Sequence, residues 1–178
     1  DLGPMESHLP GRLFTTDRKI HIVPEVFKND LARLDEKLVH RRDPNKFILI
    51  GRRDLRSNNS WMHNYPKLTR HEHACFLLIH PEDAARLQIA VNQTVKLKTR
   101  AGELEVTAKY DDAMMRGVVS MPHGWGHDRK HARLAVAGSI AGVSMNDITE
   151  EKFMDILVGT SALNGTEVEI EISAAAAR

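Results

Sequence analysis

The sequence predicts a mainly β, barrel-like domain with a few short helices. Apolar runs of a few residues recur along the chain, each too short for a helix, and turn residues separate them. One pair of runs alternates apolar and charged residues on either side of a glycine-containing turn, which is the pattern of a β-hairpin. These features favour a barrel-like β domain with helical additions over a parallel α/β sheet.

Length and composition limit the classes of function. The 178 residues suffice for one domain with a full core and an added arm. The formal net charge of +1 gives no overall field that attracts nucleic acid or an anionic membrane. The single cysteine allows neither an internal disulfide nor a cysteine-only metal site. Because there is no secretory signal and no apolar run of membrane length, we expect a cytoplasmic monomer that binds neither nucleic acid nor membrane.

Residues 1–46 are predicted to form an N-terminal arm or connector with one amphipathic helix. The first residues carry Gly-Pro and Pro-Gly pairs and no periodicity, and the apolar run 20–23 is a candidate edge strand. Apolar residues then recur at helical spacing from Glu25 to Val39, directly after a proline. We therefore expect a helix over that stretch.

Residues 47–173 are predicted to form the β domain. Its first strand is the apolar run 47–50, which stops at Gly51. A second apolar strand, 76–79, leads into a short helix that begins at Pro81, a favourable residue for the first helical turn.

The hairpin is the clearest element of this domain. Apolar and charged residues alternate over 95–99 and 103–109, and lysines face glutamates across the predicted pair. A further apolar strand, 118–121, breaks abruptly into a loop rich in glycine. This second strand-to-loop transition repeats the arrangement at Gly51.

The C-terminal third is predicted to contain little helix. Two glycines within 134–143 argue against a stable helix there, whereas 149–157 begins with capping residues and predicts a short one. An Asn-Gly turn precedes the last strand, 168–172. Residues 174–178 are expected to form a disordered tail.

The loop after the first strand is the strongest candidate for a binding site. Gly51 is followed by three arginines, Arg52, Arg53 and Arg56, and then by a run of amide and hydroxyl side chains at 57–60. Guanidinium groups bind phosphate bidentately, and backbone N–H groups in such turns face anions. The loop therefore predicts a seat for a phosphorylated, nitrogen-rich ligand, and an ordinary solvated arginine-bearing loop is the alternative.

Other site chemistries find little support, and we predict no catalytic and no metal-binding residue. His123, His127 and His131 recur every four residues, but the proline and glycines among them argue against a metal-binding helix. Cys75 precedes apolar residues and is expected to be a core thiol. Trp125 suits either a core position or stacking on a flat ring. No nucleophile elbow, P-loop or dinucleotide glycine motif is present.

Taken in order, these loops resemble the C-terminal dinucleotide-binding domain of molybdopterin oxidoreductases, the group of formate dehydrogenases, nitrate reductases and dimethyl sulfoxide reductases. Besides the hairpin, five segments carry the resemblance: LIGRRDLRSNNSWMHN (49–64), IHPEDAARLQI (79–89), VVSMPHGWGH (118–127), GVSMNDIT (142–149) and VGTSALNGTEVEI (158–170). Together they span most of 47–172 in the order of that family.

The resemblance implies a six-stranded double-psi β-barrel that holds molybdopterin guanine dinucleotide, two copies of which (bis-MGD) serve the parent enzyme. Matching the family's loops assigns cofactor contacts to ten residues: Gly51, Arg52, Arg56, Asn58, Asn59, His123, Gly124, Trp125, Asn146 and Asn164. It also implies that molybdenum or tungsten and an iron–sulfur cluster are bound only in the full-length parent.

The implied parent is most similar to formate dehydrogenases, and its remaining domains are the expected partners. The segment GRLFTTDRKIHIVPEVF in the N-terminal arm resembles the connector of such members. The cluster cysteines and the metal-ligating residue of the family are absent, so we expect the chain alone to be inactive. Two other classes stay open: a stand-alone double-psi barrel that binds proteins, and a nucleic-acid-binding protein, which the near-neutral charge disfavours.

Overall fold

The structure is a computed structural model that describes residues 3–39, 43–70 and 74–173. The predicted tail at 174–178 lies outside the described residues. The chain divides into two compact units, residues 1–41 and 42–178, and each is considered separately below.

The first unit contains helix α1 (Glu25–Val39), with the bounds that the sequence predicted. The backbone N–H of Phe27 donates to the carbonyl of Pro24, so the first helical turn follows the proline directly. The edge strand predicted at 20–23 was wrong, since no ladder forms in the described part of this unit. The Asp17 carboxylate instead contacts the His21 ring at 3.0 Å and fixes a local turn.

The second unit is a closed barrel. Its described residues form six strands: β1 (Lys46–Arg52), β2 (Leu77–Ile79), β3 (Thr94–Lys98), β4 (Glu103–Tyr110), β5 (Val118–Pro122) and β6 (Thr166–Ile172). The order around the barrel is β1-β5-β2-β4-β3-β6, closed by pairing of β6 with β1. The prediction of a mainly β barrel is confirmed.

Both parallel and antiparallel pairs build this barrel. β1 runs parallel to β5, and β2 runs parallel to β4. The other neighbouring strands in the described barrel are antiparallel. This mixed order is consistent with the double-psi barrel that the family resemblance implies.

The barrel interior is filled by alternate apolar residues of the strands. Side chains of this kind are almost fully buried: Phe47, Leu49, Leu77, Ile79, Val95, Leu97, Val119, Met121 and Val168. Full burial of one such side chain contributes roughly 1.5–3 kcal/mol. On the outer face Lys96 lies 3.2 Å from Glu103 across the hairpin, as the alternating charges predicted, and Lys98 lies 2.6 Å from Glu171 of β6.

Short helices connect the strands. Helix α2 (Pro81–Arg86) begins at the predicted proline, and α3 (Ala135–Gly138) is a single turn in the tract where glycines argued against a helix. Gly138 lies at its C-terminal end, where glycine is tolerated. Two 3₁₀ turns, Trp61–Asn64 and Met145–Asp147, complete the helical segments in the described chain. No helix within the described residues is long and apolar enough to span a membrane.

The helix predicted at 149–157 was wrong. The Asp155 carboxylate accepts hydrogen bonds from the backbone N–H groups of Leu157 and Val158, and the N–H of Asp155 donates to the carbonyl of Thr160. These local bonds compete with helical ones and fold the segment into a tight loop.

Candidate functional site

The loops after β1 and β5 leave the barrel side by side. Because the two strands are parallel and paired, Gly51 lies opposite Met121 and Arg52 opposite Pro122 at the same rim. The N–H of His123 lies 3.4 Å from the carbonyl oxygen of Arg52, which extends the pairing beyond the strands. The strand ends therefore bring both candidate loops to one edge of the barrel.

A close contact between these loops shapes the tip of the first. Asn58 and Asn59 adopt φ angles of 42° and 62°, in the left-handed region where asparagine is among the better tolerated residues. Gly124, with φ 89°, lies directly against the backbone of Asn59: a Cβ at Gly124 would lie 2.6 Å from the carbonyl carbon of Asn59. Only glycine allows this approach. We call residues 58–59 the Asn58–Asn59 tip.

A cleft of about 540 Å³ opens beside the tip. Its lining residues are Arg53, Asp54, Leu55, Ser57, Asn58, Asn59, Met62 and His123. One guanidinium nitrogen of Arg53 donates to the side-chain oxygen of Asn59 over 3.1 Å. The cleft thus presents a cation and side-chain amides, which suit phosphate oxygens and the hydrogen-bonding edges of a heterocycle.

A second cleft, of about 270 Å³, is lined by the same loop and shares Asp54, Leu55 and Ser57 with the first. Its lining residues are Asp54, Leu55, Arg56, Ser57, His63, Leu68, Thr69, Ala74, Trp125 and Ile140. Arg56 therefore faces a different cavity from Arg53. Trp125 is only 8% exposed and packs on the His63 ring, with centroids 4.1 Å apart. The indole is therefore buried and also lines this cleft, and its predicted cofactor contact stays a prediction.

The Arg52 guanidinium is hydrogen-bonded to backbone carbonyls of the same domain. Its guanidinium donates to the carbonyl oxygens of Ser120, Ala74 and Phe76 over 2.6, 2.8 and 2.8 Å, and it stacks on the Phe76 ring at 4.5 Å. Burial lowers the pKa of Arg52 to about 10, so the group stays charged at neutral pH. The geometry thus gives Arg52 a structural role, and its predicted cofactor contact stays a prediction.

Two loops from later in the chain meet Gly51. The side-chain oxygen of Asn164 accepts a hydrogen bond from the Gly51 N–H over 2.6 Å. The Met145 side chain lies 3.4 Å from the place a Cβ on Gly51 would occupy, and exposed Asn146 follows it. Gly51 and Asn164 are therefore directly joined, and Asn146 follows a residue whose side chain lies close to Gly51.

The ten predicted cofactor contacts leave out a set of polar residues at this rim, although the predicted phosphate seat included Arg53 and Ser57: Arg53, Asp54, Ser57, His63 and His127. Arg53 follows Arg52, and the alternation of an extended chain sends neighbouring side chains to opposite faces, so this signal was available. Ser57 and His63 are each only 2% exposed and contact each other within one loop, and the His63 ring also contacts His127, which is far away in sequence. No local pattern identifies such a contact.

The regularly spaced histidines do not come together as a metal site within the described residues. The His127 ring contacts His63, and no group of three potential metal-ligating side chains occurs among the described residues. Cys75 is half-buried against Val143, and burial raises the pKa of its thiol, which disfavours the reactive thiolate.

Known proteins with similar sequences are much longer than this chain. It is 49% identical over 47 residues to the alpha subunit of F420-dependent formate dehydrogenase 1 of Methanococcus maripaludis, a match covering 26% of this chain and 7% of that protein. It is 39% identical over 51 residues to a tetrathionate reductase chain of Archaeoglobus fulgidus, covering 29% and 4%. The chain thus matches only a small part of each relative.

A solved structure shares the fold. Acetylene hydratase from Pelobacter acetylenicus superposes with a TM-score of 0.57 at 20% sequence identity, over 88% of this chain and 21% of that one. The family described as "Molydopterin dinucleotide binding domain" matches residues 47–167, more than half of the chain and the whole barrel up to the start of β6. The chain therefore belongs to the molybdopterin dinucleotide-binding domain family.

Proposed function

We propose that this chain is the C-terminal cofactor-binding part of a larger molybdenum or tungsten oxidoreductase of the formate-dehydrogenase-like kind, in which it helps to hold bis-MGD. One observation carries the proposal: the parallel strands β1 and β5 end at one rim, where their loops form two clefts lined by Arg53 and Arg56. The domain supplies binding and orientation, and the catalytic and metal-ligating residues belong to the rest of the parent.

The donor set of the rim fits a pterin dinucleotide. Arg53 and Arg56 provide guanidinium groups for the pyrophosphate, and Asn58 and Asn59 provide amides for a purine or pterin edge. His123 lines the larger cleft beside them. When bound, the cofactor with its metal supplies the redox chemistry, and these side chains would hold and orient it.

The remaining assigned residues support this rim in different ways. Gly124 leaves space for the tip, and Trp125 forms part of the floor of the smaller cleft. Asn164 holds the backbone of Gly51, and Asn146 is exposed for contact. Arg52 fixes the strand ends from which the loop emerges. We propose that all ten act in cofactor binding, Arg52 mainly by positioning.

The expected boundary between an N-terminal connector, 1–46, and a cofactor-binding domain, 47–173, belongs to the same proposal. A stand-alone interaction module is not favoured, because the family match covers the rim loops as well as the barrel. The remaining domains of the parent are the proposed partners, and a cytoplasmic location is part of the proposal.

The proposal is tested by adding GDP, a commercially available part of the dinucleotide, to isotopically labelled chain and following amide signals by NMR. Since this domain supplies only part of the cofactor cavity, we expect weak binding, in the range of roughly 0.1–10 mM. The signals that move should belong to the loops after β1 and β5. Shifts confined to the β3–β4 hairpin, where Lys96 and Lys98 lie, would refute the site.

Two double variants that remove the same positive charge distinguish binding of GDP in the clefts from general electrostatic attraction of its phosphates. Arg53→Ala with Arg56→Ala should nearly abolish the shifts, because each exposed arginine–phosphate contact contributes on the order of 1 kcal/mol. Arg100→Ala with Arg116→Ala removes the same charge from exposed positions outside the clefts and should bind as the unchanged chain does. If GDP causes no shifts, the first pair should lower cofactor occupancy of the full-length parent, and unchanged occupancy would end the proposal.

A further inference from the structure

A chain of hydrogen bonds runs beneath the rim and connects the two candidate loops. The Nε2 atom of His127 lies 2.7 Å from Nδ1 of His63, and Nε2 of His63 lies 2.8 Å from the hydroxyl of Ser57. That hydroxyl in turn donates to the carbonyl oxygen of Asn59. The series thus starts in the loop after β5 and ends at the Asn58–Asn59 tip.

The chemistry of the last group fixes the direction of every bond in the series. A carbonyl oxygen only accepts, so the Ser57 proton points to Asn59. Ser57 must then accept from His63, which places the single ring proton of a neutral His63 on Nε2 and leaves Nδ1 as an acceptor. His127 therefore donates through its own Nε2–H. For a neutral His63 ring, one arrangement of protons satisfies every contact of the series.

This direction excludes a catalytic interpretation of the serine and histidine pair. A nucleophilic serine gives its proton to the histidine beside it, whereas the Ser57 proton is committed to a backbone carbonyl. Both ring nitrogens of His63 are occupied, and Ser57 and His63 are each only 2% exposed. The buried series therefore acts on the conformation of the loop.

We infer that His127, His63 and Ser57 are positioning residues for the ligand-binding tip, an inference that rests on the proposed function. Asn58 and Asn59 adopt left-handed φ angles, which cost free energy and persist only where interactions with the surroundings offset that cost. The hydrogen-bond series anchors the Asn59 carbonyl, and Arg53 is in turn held by the Asn59 side chain. His127 lines neither cleft, yet it stabilises the residues that do.

Substitutions at His127 test the inference. His127→Leu removes the first donor, whereas His127→Gln keeps an amide N–H at a similar reach. We expect His127→Leu to weaken GDP binding about two- to tenfold, because a smaller fraction of tips adopts the binding conformation, and His127→Gln to restore most of the affinity. His131→Leu, the same change at an exposed histidine a short way further along the sequence, should bind as the unchanged chain does.

A second variant covers the case in which His127→Leu does not fold. Ser57→Ala removes the central hydroxyl with little change of volume and should weaken GDP binding in the same range. Equal affinities of the unchanged chain, His127→Leu and Ser57→Ala would overturn the inference. So would a His127→Gln variant that binds as weakly as His127→Leu.

Spectra without ligand separate this inference from the proposed function. Long-range proton–nitrogen NMR should show His63 with its proton on Nε2, and the amide signals of Asn58 and Asn59 should shift in His127→Leu but return in His127→Gln. A proton on Nδ1 of His63, or unchanged tip signals, would contradict the inference even if GDP binds. If GDP does not bind but the tip signals respond as expected, the proposed ligand is wrong and the positioning role stands.

Discussion

The guanidinium of Arg52 connects parts of the barrel that lie far apart in sequence. Its carbonyl partners are Ser120 on β5 and Ala74 and Phe76 just before β2, so one side chain of β1 joins the next two strands around the barrel. Sequence composition placed Arg52 with the other arginines of the loop. Its structural role became visible only with the fold, because no sequence pattern indicates which distant carbonyls an arginine reaches.

Arg52→Lys is therefore expected to destabilise the barrel although the charge is kept. An ammonium group lacks the planar fork that reaches three carbonyls and stacks on Phe76, and hydrogen bonds to charged groups contribute about 1.5–3 kcal/mol each. We expect the free energy of unfolding in urea to fall by about 2–4 kcal/mol. Arg116→Lys, in an exposed pair with Glu82, should change it little, and an equal effect of both variants would contradict the role given to Arg52.

At the scale of elements, the paired loops after β1 and β5 form the site, and the sequence located both. Each follows a short apolar strand that ends at glycine or proline, and that pattern is visible in the sequence alone. The sequence did not reveal how the loops are joined. Gly124 contacts Asn59, and His127 contacts His63, across a long stretch of intervening chain. Such pairs depend on which strands lie side by side.

The joined loops should lose stability in mild acid. Burial lowers the pKa of His127, and only the neighbouring Asp128 opposes that shift. Between this lowered value and the ordinary value of about 6.5, the unfolded chain binds more protons than the folded one. Stability therefore rises with pH through this interval, is complete above about 6.5, and is lost as the pH falls through it.

Urea unfolding at about pH 7.5 and about pH 5.5 measures this effect. The unchanged chain should lose more stability between these two pH values than His127→Gln. The glutamine keeps a donor to His63 and does not titrate at this position. His131→Gln, the same replacement at an exposed histidine, is the matched control. An identical pH dependence for His127→Gln and the unchanged chain would show that His127 titrates normally.

At the scale of the whole molecule, strand patterns predicted most of the barrel. The wrongly predicted helix is explained by side-chain hydrogen bonds that compete with helical backbone hydrogen bonds. The hairpin and the strands at Phe47 and Val118 formed where alternation and apolar runs indicated. The helix expected after Thr149 failed because Asp155 binds the backbone N–H groups that a helix needs. Closure of the barrel through β6 and β1 joins the two ends of the domain, and that long-range pairing has no local signal.

Barrel closure leads to a prediction about the two units. All the strand pairings of the described barrel lie between Lys46 and Ile172, as do its buried apolar residues. A chain shortened to residues 42–178 should therefore unfold cooperatively in urea and give well-dispersed amide signals. A chain shortened further, to begin after Arg52, loses β1 and with it the pairings to β5 and β6, and it should not fold. Poorly dispersed signals from the 42–178 chain would show that the barrel needs the first unit, and the proposed boundary would then be wrong.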